Sequence, residues 1–302
     1  MALVYFGDGF VDESEARIPI TTHALHYGTA VFEGIRSYGD GTRSAIFRPR
    51  EHFERLLRNA ALLEMPPRWS PADLTALTIE LLQRNRFFDD RYIRPLIYKT
   101  SQTIGAGLPA GEALAIVAVP MPRGPVLRPA ARATWSHWRR FPAAACPAGA
   151  KITGLYVNSS LAKAEAIARG YDQPILLNTA GDVAEGYGAN LFVVKGTRVL
   201  TPPVSAGILG GITRDALLTF LQSQQDLTVS LDPLAPGDVE TADEVFLCGT
   251  GMEILPLGTL DDRPIGDGSG HGPVLRRTAE WYRGAVTGTT AGVPAEWLAT
   301  LS

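Results

Sequence analysis

Lysine is scarce in this chain. Of 28 basic side chains only Lys99, Lys151, Lys163 and Lys195 are lysines, so chemistry that needs a primary amine has four places to happen. Cysteine is scarcer still: Cys146 and Cys248 are too few and too far apart for a disulfide framework or a cysteine-rich metal site. Neither charge dominates, the formal net charge being −3 over 302 residues. The basic residues are scattered rather than massed, which argues against nucleic acid as the main partner. Long apolar runs are missing too: stretches such as Ala113 to Pro120 reach well under half of the ~20 residues a membrane-spanning helix needs. The opening MALVYFGDGFVDESEAR meets glycine and acid early and has no basic segment followed by an apolar core. It does not read as a signal peptide, and a cytoplasmic location is expected. What remains, 45% hydrophobic and 20% charged residues, describes a globular chain long enough for two domains.

Local patterning divides the chain. VYFGDGFV, Val4 to Val11, reads as two short strands about a Gly-Asp-Gly turn. A helix is expected from about Arg50 to Leu63, with Phe53, Leu56, Leu57 and Ala60 on one face. A second helix follows Ser70 as N-cap, with Pro71 in its first position and Asp73 in its first turn. RYIRPLIYKT and ALAIVAVPM are short, apolar and β-branched, as strands are. MPRGPVLRP carries three prolines and a glycine in nine residues and reads as a linker. Residues 1–120 are therefore expected to form a small N-terminal α/β domain, 121–129 the linker and 130–302 a larger C-terminal domain. Beyond the linker, helices are expected at about Asn158 to Arg169, from Thr213, and near Pro273 to Ala285. Strands are expected at Pro174 to Asn178, Asn190 to Val194 and Asp243 to Cys248, the last before a hairpin-like EILPLGTLDDRPIG. The irregular alternation favours an α+β fold with mixed or antiparallel sheets over a doubly wound parallel one.

Some motifs carry little. Ser160 to Lys163 matches Ser-x-x-Lys without the companion motifs of a penicilloyl-serine site. GAGLPAG lacks the spacing and following helix of a dinucleotide loop. His23 and His26 have no third ligand nearby and read as structural, so no metal site is expected.

Other segments point to chemistry. HALHYGTAVFEGIRSY sets aromatics beside glycines, which suits a backbone folded closely against a ligand or a buried strand with a bend. On a strand, Tyr92 and Arg94 share one face. A guanidinium there needs an anion, either an internal carboxylate or that of a substrate. GGITRDALL runs from glycines into a helix, so the amides near Ile212 and Thr213 sit at a helix N-terminus, which suits phosphate or is simply a glycine-capped start. CGTGMEI offers a hydroxyl and amides in a turn. Lys151, in AGAKITGLYVNSS, has small or apolar neighbours that would lower its pKa, although most lysines are solvated. Glu185 lies in a glycine-rich turn.

Taken together, HALHYGTAVFEGIR, FRPREHFERL, YIRPLIY, AKITGLYVNSSLAKAEA, EGYGANLFVV, GGITRDALL and DEVFLCGTGMEI make the chain resemble a branched-chain aminotransferase of the class IV pyridoxal-phosphate family, fold type IV. The blocks occur in family order from residue 23 to residue 254. The resemblance implies a smaller α/β N-terminal domain and a larger C-terminal domain with barrel-like mixed or antiparallel sheets, the cofactor pyridoxal 5'-phosphate between them, and a homodimer or higher homo-oligomer.

Carried over residue by residue, Lys151 matches the catalytic lysine that holds the cofactor as a Schiff base and transfers the substrate proton. Arg55, Ile212, Thr213 and Thr250 match contacts to the cofactor phosphate. Glu185 matches the acid on the pyridine nitrogen, and Tyr156 the phenol beside the 3-hydroxyl. Tyr92, Thr250 and Gly251 match binders of the substrate α-carboxylate, and Arg94 and Tyr27 match holders of glutamate's distal carboxylate. Phe32 and Gly34 match pocket lining. The implied reaction is transamination of leucine, isoleucine and valine with 2-oxoglutarate, the partners being small amino and 2-oxo acids rather than nucleic acid or membrane. Alternatives are an (R)-selective amine or D-amino acid transaminase, an aminodeoxychorismate lyase, and a catalytically silent cofactor-binding protein. The chain departs from the family at PRGPV, where Arg123 and Val126 stand in place of an aromatic pair, one of them a phenol that helps with glutamate's distal carboxylate.

Overall fold

The computed structural model describes residues 2–66, 68–147 and 149–301. In chain order its elements begin with β1 (Leu3–Gly7), β2 (Gly9–Asp12), α1 (His23–Tyr27), β3 (Ala30–Phe32), β4 (Ile35–Gly39), β5 (Ser44–Phe47), α2 (Pro49–Leu62), α3 (Pro71–Arg84), β6 (Arg91–Lys99) and β7 (Glu112–Pro120). They continue with β8 (Ala131–Arg139), α4 (Tyr156–Ala168), β9 (Gln173–Leu177), β10 (Val183–Gly186), β11 (Asn190–Lys195), β12 (Arg198–Leu200), α5 (Ile212–Gln222) and β13 (Thr228–Ser230). The last are α6 (Pro236–Glu240), β14 (Glu244–Gly249), β15 (Glu253–Leu260), β16 (Arg263–Pro264), α7 (Pro273–Thr287) and β17 (Leu298–Leu301). The chain forms two compact units. Met1–Arg123, Lys151–Leu155 and Ala285–Ser302 make the first; Gly124–Ala150 and Tyr156–Gly284 make the second.

The first unit is built on an antiparallel sheet in the order β17-β5-β4-β6-β7-β1-β2, with β3 added to β6. The expected hairpin is present, Val4 lying opposite Val11. Helix α2 buries Phe53, Leu56 and Ala60 completely or nearly so, and Phe53 and Leu56 each contribute about 1.5–3 kcal/mol by leaving water. A second stripe of α2, formed by His52, Arg55 and Asn59, is buried as well, which an apolar-periodicity argument does not anticipate. Helix α3 starts with the Ser70–Asp73 capping box: the Asp73 amide donates to the Ser70 hydroxyl at 3.1 Å and the Ser70 amide to the Asp73 carboxylate at 2.8 Å. Strand β17 has no distinctive pattern of its own and exists because Leu298–Leu301 pairs with Ser44–Phe47.

Five residues from mid-chain complete this unit. Ile152 makes a bridge with Val31, and the Phe32 amide donates to the Lys151 carbonyl at 3.1 Å. The Gly154 amide and the Thr153 hydroxyl both donate to the Gly28 carbonyl, at 3.2 and 2.8 Å. Gly28 ends α1 in the left-handed region at φ +63, and a Cβ there would lie 2.5 Å from the Gly154 Cα. Two backbones therefore touch where any side chain would part them.

The second unit has a mixed sheet in the order β10-β9-β8-β15-β14-β11-β12-β13, with β16 on β15. β8 runs parallel to β9 and β15, and β12 parallel to β13; the other pairs are antiparallel. One core cluster is aliphatic, with Ile175, Leu191, Val193, Val245, Leu247 and Leu257 fully buried, and Phe192 and Phe246 are fully buried and stacked. The α+β expectation holds, and β15 with β16 forms the hairpin read from EILPLGTLDDRPIG. β8, in the polar and aromatic ARATWSHWR, escapes the sequence pattern because its alternation is weak and its parallel neighbours are distant in sequence.

Gly28→Ala should separate contact from backbone strain. Gly7 has nearly the same φ, +67, but nothing within 4 Å of an added Cβ. Gly7→Ala should cost about 1–2 kcal/mol of unfolding free energy and Gly28→Ala more than about 3 kcal/mol. Equal losses in chemical denaturation would mean that the Gly28–Gly154 approach contributes nothing.

Candidate active site

In the first unit the backbone pairing with β3 presents Lys151 beside Phe32, whose ring centroid is 4.5 Å from Nζ. Loss of water around the amine is the main cause that lowers its pKa to about 8; Glu33 and Tyr92 act to raise it, Arg55 and Arg94 to lower it. At neutral pH an appreciable fraction of this amine is unprotonated, unlike an ordinary lysine.

Tyr92 and Arg94 lie on one face of β6, as their spacing requires, and the Arg94 guanidinium donates to the Tyr92 hydroxyl at 2.7 Å. Arg94 also lies over the rings of Phe32, at 4.4 Å, and Tyr92, at 5.2 Å. Its Nε is buried without a hydrogen-bond partner, and no carboxylate among the described residues pairs with it. Of the two anions that a guanidinium here calls for, the internal carboxylate is therefore missing. The Tyr92 hydroxyl lies over Gly34, in space that a Cβ would fill. Tyr27 is partly exposed at the end of α1, its ring 4.6 Å from that of His23. His23 is bonded to Thr29 and the Gly105 carbonyl and His26 to the Ile20 carbonyl, as structural histidines are.

Arg55 is not a surface residue of α2. It grips the fully buried carboxylate of Glu33 with both edges of its fork, Nε to Oε1 at 2.6 Å and Nη2 to Oε2 at 2.9 Å. His52 Nδ1 adds a third bond at 2.8 Å. Glu33 is held well below the usual carboxylate range: burial opposes ionisation, and Arg55 and His52 together overcome it. Burial pushes His52 down, so the ring is neutral near pH 7 and donates its Nδ1 proton to the carboxylate.

In the second unit Glu185 lies on β10 and is buried. Its Oε2 accepts from Asn190 Nδ2 at 3.0 Å and from the Leu209 amide at 3.1 Å, while its Oε1 forms an ion pair with Arg140 at 3.1 Å. Asn190 also donates to the Leu209 carbonyl at 2.8 Å, fastening the loop that leads into α5. Gly211 caps that helix without any side-chain bond, and a Cβ there would strike the Asn190 side-chain oxygen. Ile212 and Thr213 are thus the first two residues of α5, where amides and the helix dipole favour an anion. Thr250 and Gly251 form the turn between β14 and β15, at the end where Cys248 stands opposite Asn190. Tyr156 opens α4.

Glu33, His52, Arg140 and Asn190 are not legible from spacing. Glu33 alone leaves a usable signal, since a carboxylate between Phe32 and Gly34 in an apolar segment needs partners by the same reasoning applied to Arg94. Arg123, at the departure from the family pattern, is tied to Asp90 at 2.7 Å and to the Gly39 carbonyl at 2.6 Å.

Residues 30–259 match the family model for amino-transferase class IV. A probable branched-chain-amino-acid aminotransferase of Aquifex aeolicus is 40% identical over 291 residues, spanning 95% of this chain and 93% of its own length. The branched-chain aminotransferase of Thermoproteus uzoniensis, solved with norvaline, is similar with a TM-score of 0.93 at 35% identity, over 100% of this chain and 99% of that one. A branched-chain amino acid aminotransferase of T.th., complexed with N-(5'-phosphopyridoxyl)-L-glutamate, gives 0.91 at 37% identity, over 99% and 98%. With likeness in sequence and in fold running essentially from end to end, the chain belongs to the class IV aminotransferases.

Proposed function

We propose that this enzyme is a pyridoxal-phosphate-dependent aminotransferase that moves the amino group of branched-chain L-amino acids to 2-oxoglutarate. The observation that carries the reading is Lys151, an amine brought to a pKa of about 8 among Phe32, Glu33, Arg55, Tyr92 and Arg94. The relatives support the substrates: one was solved with norvaline and another with a phosphopyridoxyl glutamate. A homodimer belongs to the same reading. Among the described residues no helix is long and apolar enough to cross a membrane.

The residues fit the cofactor. Gly211 brings no capping side chain to the start of α5, where a phosphate would meet Ile212 and Thr213, and Glu185 is an acceptor already oriented by Asn190 and Leu209. Arg55 and Thr250 would join the phosphate contacts and Tyr156 would face the ring hydroxyl. Pyridoxal phosphate, when bound, supplies an electron sink for the pair left behind as the substrate Cα loses its proton. Glu185, in its ion pair with Arg140, would hold a proton at the pyridine nitrogen. Lys151 Nζ would accept the proton that leaves the substrate Cα and return it when the product is protonated. Tyr92, Thr250 and Gly251 orient the α-carboxylate. Arg94, with the bonding capacity its Nε has left over, and Tyr27 would meet the distal carboxylate of glutamate, while Phe32 and Gly34 would accommodate an aliphatic side chain.

Purified enzyme should be yellow, and L-leucine added alone should shift its spectrum to that of the amino form. Lys151→Ala should abolish this half reaction, whereas Lys163→Ala and Lys195→Ala should leave it intact. A colourless protein that takes up no pyridoxal phosphate would overturn the cofactor assignment. Bleaching by (R)-1-phenylethylamine or a D-amino acid as fast as by L-leucine would overturn the substrate class.

Glu185→Gln should retain the cofactor but lose roughly 10²-fold in kcat, the scale of one preorganised electrostatic partner. Unchanged turnover in steady-state assays would remove Glu185 from the mechanism.

A further inference from the structure

Glu33 has no assigned part in the reaction, yet its surroundings are unusual. Its carboxylate is entirely shielded from solvent and is met by two basic side chains from one face of α2, residues three apart on that helix. Its own amide donates to the Pro95 carbonyl at 3.0 Å, and the preceding Phe32 amide holds the Lys151 carbonyl at 3.1 Å. One short backbone segment therefore positions both the carboxylate and the lysine. A fold that needed only packing at this place would be served as well by apolar groups of the same volume, since a buried ion pair is weak evidence for stability.

We propose that Glu33 is a positioning residue for transamination: it locks the Arg55 guanidinium in one orientation through a two-pronged bond and supplies negative charge that balances Arg55 and Arg94 around the Lys151 amine. The ionisable or charged groups acting on that amine are Glu33, Tyr92, Arg55 and Arg94, with His52 against Glu33 and neutral. Without the carboxylate, two guanidinium groups face the amine with no anion to offset them. Protonated Lys151 then becomes too costly, and Arg55 is free to turn. With the carboxylate but without Arg55, the balance tips the other way. Arg55 and Glu33 thus act as a matched pair. The Lys151 pKa of about 8 is the product of opposed charges as well as of lost water.

The inference takes Lys151 as the reactive amine and Arg55 as an anion anchor, but its test reads a titration and not turnover, so an unmoved titration and a harmless Lys151→Ala are separate failures. The probe is trace acetylation by acetic anhydride of the full chain stripped of cofactor, with the labelling rate of each lysine peptide followed against pH by mass spectrometry. The scarcity of lysine helps, because Lys163 serves as an internal reference. Wild-type Lys151 should half-titrate near pH 8. Glu33→Gln should lower that midpoint by about one pH unit or more and Arg55→Gln should raise it, the size expected for one buried charge nearby. The double variant Glu33→Gln/Arg55→Gln should return toward wild type, and Lys163 should not move in any of them. If Glu33→Gln fails to fold because Arg55 is left buried without its partner, Arg55→Gln and the double variant still decide. A Lys151 midpoint unmoved by Arg55→Gln, or shifted in the same direction by both single changes, overturns the proposal.

Discussion

The chemistry of the first unit hangs on the backbone pairing between Gly28–Phe32 and Lys151–Gly154. The two stretches are more than a hundred residues apart in sequence, and closing so long a loop carries an entropic cost that local bonds must offset. Four described hydrogen bonds and the Val31–Ile152 bridge do so, and the Gly28–Gly154 approach allows them to form. The Lys151 backbone is consequently set by main-chain pairing with β3, with its Nζ over the Phe32 ring.

The second unit works by the opposite device, a side chain that organises backbone. Glu185 gathers Arg140, Asn190 and the Leu209 amide, and through Asn190 it fastens the loop that opens α5. An anion site at a helix start depends on where the first amides point, and those of α5 follow a glycine that leaves no room for a Cβ beside Asn190. Glu185 and the loop that opens α5 are therefore parts of one hydrogen-bonded assembly.

Much of this was legible in the sequence. Apolar periodicity and end signals located α2 and α7, and the starts of α3 and α5, to within a residue or two. A period of two placed Tyr92 and Arg94 on a common face, and the structure joins them by a hydrogen bond. Partners set by tertiary structure were not legible. Arg55 lies off the apolar stripe of its helix, and only the return of the chain at β3 past α2 supplies its partner Glu33. β8 and β17 were hidden for the same reason, their stability residing in neighbours distant along the chain. His23 and His26 show the converse, since their bonds to Thr29, Gly105 and Ile20 accord with the bland reading of a suggestive spacing.

The scarcity of lysine acquires a physical sense from these surroundings. Arginine does not give up its proton in proteins, whereas lysine does so readily once water is removed. A cluster that must hold permanent positive charge beside one titrating amine therefore needs arginine at Arg55 and Arg94 and lysine only at Lys151. The other three lysines are each satisfied elsewhere: Lys99 is buried with its amine on the Glu64 carbonyl, Lys163 bonds the Asp172 carbonyl, and Lys195 pairs with Asp238. Placing a second lysine at position 55 or 94 would put two deprotonatable amines within one electrostatic environment, each lowering the pKa of the other. The chain avoids that coupling by its choice of cation, and Lys151 is left to titrate alone against charges that stay fixed.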